Sequence, residues 1–138
     1  SHDYFEIVNV AIAAAAVSDY KPKIVAAQKI KKAEENLSFE LTKTQDILLS
    51  LGKKKTHQKL IGFALETNNE LEHAREKLAK KNLDFIVLNS LNDAGAGFKK
   101  DTNKITLVYK DSEKAFDLKT KAEVATDILN EIVHLLDA

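Results

Sequence analysis

The 138-residue chain has no cysteine, no methionine and no tryptophan, one proline and four glycines. Without cysteine there can be no disulfide, no thiolate metal site and no cysteine nucleophile. No apolar run is long enough to cross a bilayer and no signal-peptide pattern is present, so nothing points to export. A reducing, cytoplasmic setting is the expectation. The formal charge is zero, with 21 basic and 21 acidic residues. A general polyanion-binding surface is therefore not expected, and neither a nucleic acid nor a membrane is expected as partner. There is no nucleophile elbow, no P-loop and no GxGxxG; the missing glycine fingerprint counts against a nicotinamide-dependent oxidoreductase. His2, His57, His73 and His134 lack metal-ligand spacing, so no resident metal site is predicted.

What is present reads as an ordinary globular chain. Apolar residues make up 44% and charged residues 30%, which is not the composition of a disordered segment. The length fits one domain, residues 1–138, with a real core. No internal repeat or low-complexity segment interrupts it. The charge is unevenly spread: Lys21, Lys23, Lys29, Lys31 and Lys32 form one basic stretch, and Lys53, Lys54 and Lys55 a second.

Residues 7 to 17 read as a buried strand, with β-branched Val8, Val10, Ile12 and Val17 and small alanines that admit a second layer. The alanines also favour helix, which is the alternative. Tyr20-Lys21-Pro22 imposes an extended exit. "LSFELTK", residues 37 to 43, alternates Leu37, Phe39 and Leu41 against polar residues, the pattern of a half-buried strand. In "TQDILLSLG", Thr44 can cap a helix, Asp46 suits its first turn, Ile47, Leu48 and Leu51 point inward, and Gly52 can end it. Leu60 to Leu65 predicts a strand. Residues 70 to 81 predict a helix with Leu71, Ala74 and Leu78 on one stripe, Asn69 and Glu72 as a capping pair, and Asn82 closing the end. Leu83 to Leu88 is a further buried strand. A loop with Gly95 and Gly97 follows, then two strands joined at Asp111-Ser112. Thr120 with Glu123 forms a capping box for a final helix carrying Val124, Ile128, Ile132 and Leu135 inward. Strands alternating with helices imply an α/β fold with a mostly parallel sheet, whose ligands bind outside the carboxyl ends of the strands.

Several groups fall near such ends. Asp19, just past the first strand, is equally a ligand-contacting acid and a loop-capping aspartate. "KIKK", Lys29 to Lys32, could bind phosphate, although such runs are more often solvated charge. "KTQDIL" feeds a strand straight into a helix N-terminus, where free N–H groups suit phosphate; most helix starts bind nothing, and Asp46 opposes an anion beside it. Lys77 and Lys81, four apart, share a helix face, yet alone are two surface lysines.

Taken together, "AAAAVSDYKP", "KIKK", "LTKTQDIL", "IGFALETNN" and "AREKLAKKNLDFIVLNSLNDAGAGF" occur in the order and spacing of bacterial phosphopantothenate–cysteine ligase. This is phosphopantothenoylcysteine synthetase, the C-terminal domain of the DNA/pantothenate metabolism flavoprotein family, and the chain resembles it over essentially its whole length. The resemblance implies a Rossmann-like three-layer α/β sandwich with a C-terminal β-hairpin and helix. It implies coenzyme A biosynthesis: CTP with Mg²⁺ activates the carboxylate of 4'-phosphopantothenate as an acyl-nucleotide, and cysteine then displaces CMP. By resemblance, Ala15 and Asp19 contact the nucleotide and Lys29 is the catalytic lysine beside the reacting groups. Gln45, Asp46, Ile47 and Leu48 hold the triphosphate through backbone amides, Phe63 lies against the nucleotide, and Lys77 and Lys81 neutralise it.

The chain departs from the family in two ways. Gln45 stands where the family usually has proline, a substitution that backbone binding should survive. The family also begins with a strand, a glycine-containing loop and a serine-asparagine-arginine motif, none of which precedes Ser1; with no methionine present, the chain is expected to be a fragment lacking the family's catalytic asparagine. The resemblance further implies a homodimer, for which the strands between Ile105 and Leu118 offer a projecting hairpin. No flavin is expected in this domain. A non-catalytic nucleotide-binding or regulatory module of the same fold is the alternative function. The choice between CTP and ATP rests on loop geometry, which spacing does not encode.

Overall fold

The computed structural model describes residues 2–25, 38–66, 68–90 and 101–137. In chain order the elements are α1 (His2–Phe5), β1 (Val10–Ala13), β2 (Tyr20–Pro22), β3 (Leu41–Lys43), α2 (Ile47–Lys54), β4 (Lys59–Glu66), α3 (Glu70–Lys80) and β5 (Phe85–Ser90). Then come β6 (Thr102–Asn103), β7 (Ile105–Val108), β8 (Glu113–Ala115), β9 (Lys119–Thr120) and α4 (Lys121–Asp137).

Five strands form the central sheet in the order β1-β4-β5-β7-β8. β1, β4 and β5 run parallel, and β7 and β8 are antiparallel additions. The strands read as continuous apolar runs because both faces are covered. Leu60, Ala64, Ile86, Leu88 and Val108 face α1, α2 and α3. Ile61, Phe85, Val87, Ile105 and Leu107 face α4, which presents Val124, Ile128 and Ile132. Successive residues thus serve opposite layers, as strand geometry requires, and the sandwich has the three layers expected.

Tertiary context corrects several local expectations. The strand expected over residues 7 to 17 is ordered as a strand only over Val10–Ala13. Among the described residues it is an edge of the sheet, which leaves Ile12 43% exposed. The expected half-buried "LSFELTK" strand is reduced to β3, which among the described residues pairs only with β2 in a two-stranded ribbon off the main sheet. Among the described residues no layer covers that ribbon on the side of the apolar residues, and Phe39 and Leu41 are 55% and 56% exposed; Leu37 lies outside the described residues. The buried strand expected over Leu83 to Leu88 is shifted to Phe85–Ser90, because Leu83 is used to close α3. The hairpin between Ile105 and Leu118 has the expected turn, with Tyr109 N–H donating to Ser112 C=O at 2.9 Å. It does not project: β7 is paired on both sides and its Ile105, Leu107 and Val108 are buried. α1, which buries Phe5, was not anticipated. The Gly95/Gly97 loop falls outside the described residues.

Helix ends show which caps form. α2 is capped by Asp46, whose Oδ1 accepts the Leu49 N–H at 2.9 Å. Thr44, the expected cap, instead ties two loops together: its Oγ donates to Ser18 C=O at 2.5 Å and its N–H to Asp19 C=O at 2.9 Å. Gly52 lies within α2 rather than ending it. Asn69 precedes α3 with left-handed backbone, φ 45°, and makes no side-chain cap bond, so the expected pair with Glu72 does not form. Asn82 does close α3. It takes φ 53°, Leu83 N–H donates to Leu78 C=O at 3.0 Å and Asn82 N–H to Ala79 C=O at 3.3 Å, the paired bonds of a left-handed helix terminus. The capping box of α4 also forms, Thr120 N–H donating to Glu123 Oε2 at 2.9 Å and Glu123 N–H to Thr120 Oγ at 3.3 Å.

Candidate functional site

The carboxyl ends of β1 and β4 open onto a hollow of about 560 Å³, within the range of small-molecule sites. Its walls come from the loop after β1, the loop entering α2, β4 and one face of α3. Ala15, Asp19, Gln45, Asp46, Ile47, Leu48, Phe63, Lys77 and Lys81 all line it. These residues span more than sixty positions of the chain, and nine of the ten expected site positions meet in one place. The tenth, Lys29, lies outside the described residues, as does the rest of "KIKK".

Short polar bonds set the geometry. Thr44 staples the α2 entry to the Ser18–Asp19 backbone, and Ser18 Oγ donates to Tyr20 C=O at 2.8 Å. This holds Asp19 at the rim; among the described residues its carboxylate accepts no hydrogen bond. α3 carries Lys77 and Lys81 one turn apart on the side facing the hollow. Each is held by a carboxylate. Lys77 pairs with Glu66, at the end of β4, whose side chain is only 14% exposed and also stands 3.6 Å from His73 Nδ1. Lys81 Nζ lies 3.0 Å from Asp46 Oδ2. Burial alone would raise the Asp46 carboxyl, but the Leu49 N–H, the Lys81 ammonium and nearby Lys80 outweigh it and hold the group below the usual aspartate range.

A second hollow of about 420 Å³ adjoins the first, sharing Ala13, Ala14, Ala15 and Phe63. Among the described residues its polar ones are Asn89, Asn103 and Lys121. None was singled out from the sequence. Asn89 was within reach of the strand-end rule, since it stands near the carboxyl end of β5. Asn103 and Lys121 were not, because only the β6–β9 pairing brings them to this end of the sheet.

A layered α/β sheet with a ligand-sized hollow at the carboxyl ends of its parallel strands is of the open-sheet class, in which ligands bind at those ends. The chain belongs to the DNA/pantothenate metabolism flavoprotein C-terminal domain family, whose profile matches residues 1–136. It is 44% identical over 132 residues to the coenzyme A biosynthesis bifunctional protein CoaBC of Bacillus subtilis (strain 168), covering 95% of this chain and 32% of that protein. It is 48% identical over 138 residues to a protein from an unknown prokaryotic organism named cysteine/cysteine sulfinic acid decarboxylase, covering 99% of this chain and 38% of that one. Among solved structures, the crystal structure of the C-terminal domain of CoaBC superposes with a TM-score of 0.77 at 41% identity, covering 99% of this chain and 61% of that one. The chain therefore spans about a third of the length of these two curated relatives. Among the described residues no helix is long and apolar enough to cross a membrane.

Proposed function

We propose that the chain carries most of the nucleotide site of a phosphopantothenate–cysteine ligase acting in coenzyme A biosynthesis, with CTP as the activating nucleotide. The observation that carries this reading is the meeting of nine positions from separate stretches of the chain, all but Gln45 matching the ligase's motifs, at one hollow where open α/β sheets bind ligands. Family membership and the likeness to CoaBC supply the reaction class.

In that reaction an oxygen of the 4'-phosphopantothenate carboxylate attacks the α-phosphorus of CTP. The bond to the β-phosphate breaks, and pyrophosphate leaves. The amine of cysteine then attacks the acyl carbon of the mixed anhydride, the carbon–oxygen bond to CMP breaks, and the amine proton passes to solvent or a base. A carboxylate is a poor electrophile, and CMP makes it a competent one. The charge that develops lies on phosphate oxygens, which preorganised ammonium and N–H groups stabilise. Lys29 is assigned to the reacting groups. The backbone amides from Gln45 to Leu48, at the entry and open first turn of α2 that line the hollow, are assigned to the triphosphate. Phe63 provides an apolar wall.

Mg²⁺ is proposed to arrive with the nucleotide. Among the described residues there is no group of three carboxylates or imidazoles that could hold a metal ion. One carboxylate with phosphate oxygens and water is a usual Mg²⁺ set, and Asp19 is available for it. Bound there, the ion would neutralise phosphate charge. The reading extends to a cytoplasmic homodimer, which light scattering on the purified protein would test.

Two measurements test the reading. Titration calorimetry of the chain with CTP and with ATP should show heat of binding, larger for CTP. In the full-length protein, pyrophosphate release dependent on CTP and 4'-phosphopantothenate should be lost in Lys29→Ala. CTP binding without any pyrophosphate release from the full-length protein would point instead to a non-catalytic nucleotide-binding module.

A further inference from the structure

Asp46 places a negative charge at the N-terminus of the helix whose amides are assigned to the triphosphate. The carboxylate is engaged on two sides. Its Oδ1 accepts the Leu49 N–H at 2.9 Å, and its Oδ2 lies 3.0 Å from Lys81 Nζ. Lys81 is the residue just after α3, and its backbone is held in place: its carbonyl rests against Gly52 of α2, with no room for a side chain between them. From that fixed point a flexible four-carbon stem carries the ammonium. Both Asp46 and Lys81 line the larger hollow, so the ammonium can swing from the carboxylate to a ligand without any movement of the helices.

The two lysines of this hollow are held differently. Lys77 is paired with Glu66, whose side chain is 14% exposed and which also stands 3.6 Å from His73 Nδ1. Taking Lys77 away would strip a largely buried carboxylate of its ammonium, which is costly. The side chain of Asp46 is 42% exposed. Without Lys81 it keeps water, the Leu49 N–H and the positive end of α2. An ion pair this exposed contributes little to stability, so it is the one that can be given up. A phosphate chain at the same helix end offers the ammonium several charged oxygens in place of one carboxylate.

We propose that Asp46 is a resident counter-ion for Lys81, holding the ammonium while the hollow is empty and yielding it to the phosphates of the nucleotide, while Lys77 stays on Glu66. This rests on the nucleotide reading above and adds a control of affinity to it. Binding then breaks the Asp46–Lys81 pair, and release restores it. The carboxylate weakens the nucleotide's hold and speeds the departure of the phosphate products, because a replacement partner for Lys81 is already in place.

Calorimetry on the chain with Mg²⁺ tests the exchange, with CTP, inorganic triphosphate and cytidine as separate probes. Asp46→Asn removes the charge and keeps an oxygen for the Leu49 N–H. Asparagine caps as well as aspartate, so an unchanged melting temperature will show the variant folded. It should tighten CTP and triphosphate about fivefold, the worth of an exposed ion pair that no longer has to be broken, and leave cytidine unchanged. Asp46→Ser, a cap that is likewise uncharged, should repeat the gain. Lys81→Ala should weaken both anions, and adding Asp46→Asn to it should recover nothing. Unchanged or weaker CTP binding in Asp46→Asn overturns the exchange and leaves the nucleotide reading intact. An equal gain for cytidine also overturns it, since the hollow would then have been reshaped. So does a gain of the same size in the Lys81→Ala background, since the carboxylate would then act by repulsion alone. If triphosphate shows the gain through Lys81 while no variant binds CTP, the exchange stands and the nucleotide reading falls; binding of neither ends both.

Discussion

Gly52→Ala should destabilise the protein although it lies in a helix, where the same change normally stabilises. The carbonyl of Lys81, at the end of α3, sits where the new methyl would go. A Cβ at Gly52 would fall on that oxygen and lie 2.8 Å from the carbonyl carbon. The obstacle is backbone, so no rotamer change relieves it, and α2 must move away from α3. Overpacking of this kind costs about 1–3 kcal/mol. The move also strains the bond from Asn82 Nδ2 to Gly52 C=O, 3.0 Å long, for about 1 kcal/mol more. Alanine's better helix propensity returns about 1 kcal/mol. The net expectation is a loss of about 2 kcal/mol, or a melting temperature lower by about 8 °C for a domain of this size. Thermal unfolding followed by circular dichroism measures it. Because Lys81 also pairs with Asp46 across the hollow, the variant should bind CTP more weakly as well. A melting temperature raised by a few degrees would refute the reasoning, since it would mean that the helices do not meet at this contact.

Other substitutions test other contacts. Asp46→Ala removes the cap of α2 and the partner of Lys81, and should cost about 1 kcal/mol in urea unfolding at neutral pH. The Asp46 carboxyl titrates below its usual value of 3.8, so its contribution is present above that pH and is lost as the pH falls through the lowered folded value; the gap between wild type and Asp46→Ala should close on acidification. Asp84→Ala removes the carboxylate from Lys55 Nζ, now 2.6 Å away, which keeps the Asn82 C=O at 3.1 Å, and leaves the Leu60 N–H, 2.7 Å away, without its acceptor. Both side chains of this ion pair are largely buried, and a loss of about 3 kcal/mol is expected in the same assay. Tyr109→Phe removes the hydroxyl that donates to Glu131 Oε2 at 2.9 Å and should cost about 1 kcal/mol. Burial and then the bond to Glu131 push the Tyr109 hydroxyl well above its ordinary value of 10.0. Its contribution is therefore intact below pH 10 and declines above it, and wild type and Tyr109→Phe should converge in alkaline solution.

The apolar runs at 60–65 and 83–88, the stripe Val124-Ile128-Ile132 and the alternation of strands with helices determined the layered sheet, because burial is roughly proportional to apolar area and local periodicity says which face is apolar. Side-chain chemistry likewise determined the box at Thr120–Glu123 and the αL stop at Asn82, both made by neighbours in the chain. The motifs carried by resemblance marked nine positions that do share a hollow. What lay beyond the sequence was everything set by contacts distant along the chain. "LSFELTK" alternates as a buried strand does, yet whether a layer exists to cover Phe39 and Leu41 is decided elsewhere in the fold. Gly52 has the signature of a helix stop, and only the approach of Lys81's carbonyl shows why a side chain is excluded there. The pairing of Lys77 with Glu66 and of Lys81 with Asp46, and the meeting of Lys121 and Asn89 at one hollow, arise from the docking of α3 and α4 on opposite faces of one sheet. Charge is written residue by residue in the sequence, but which charges cancel depends on distances of a few ångströms that only the folded chain sets.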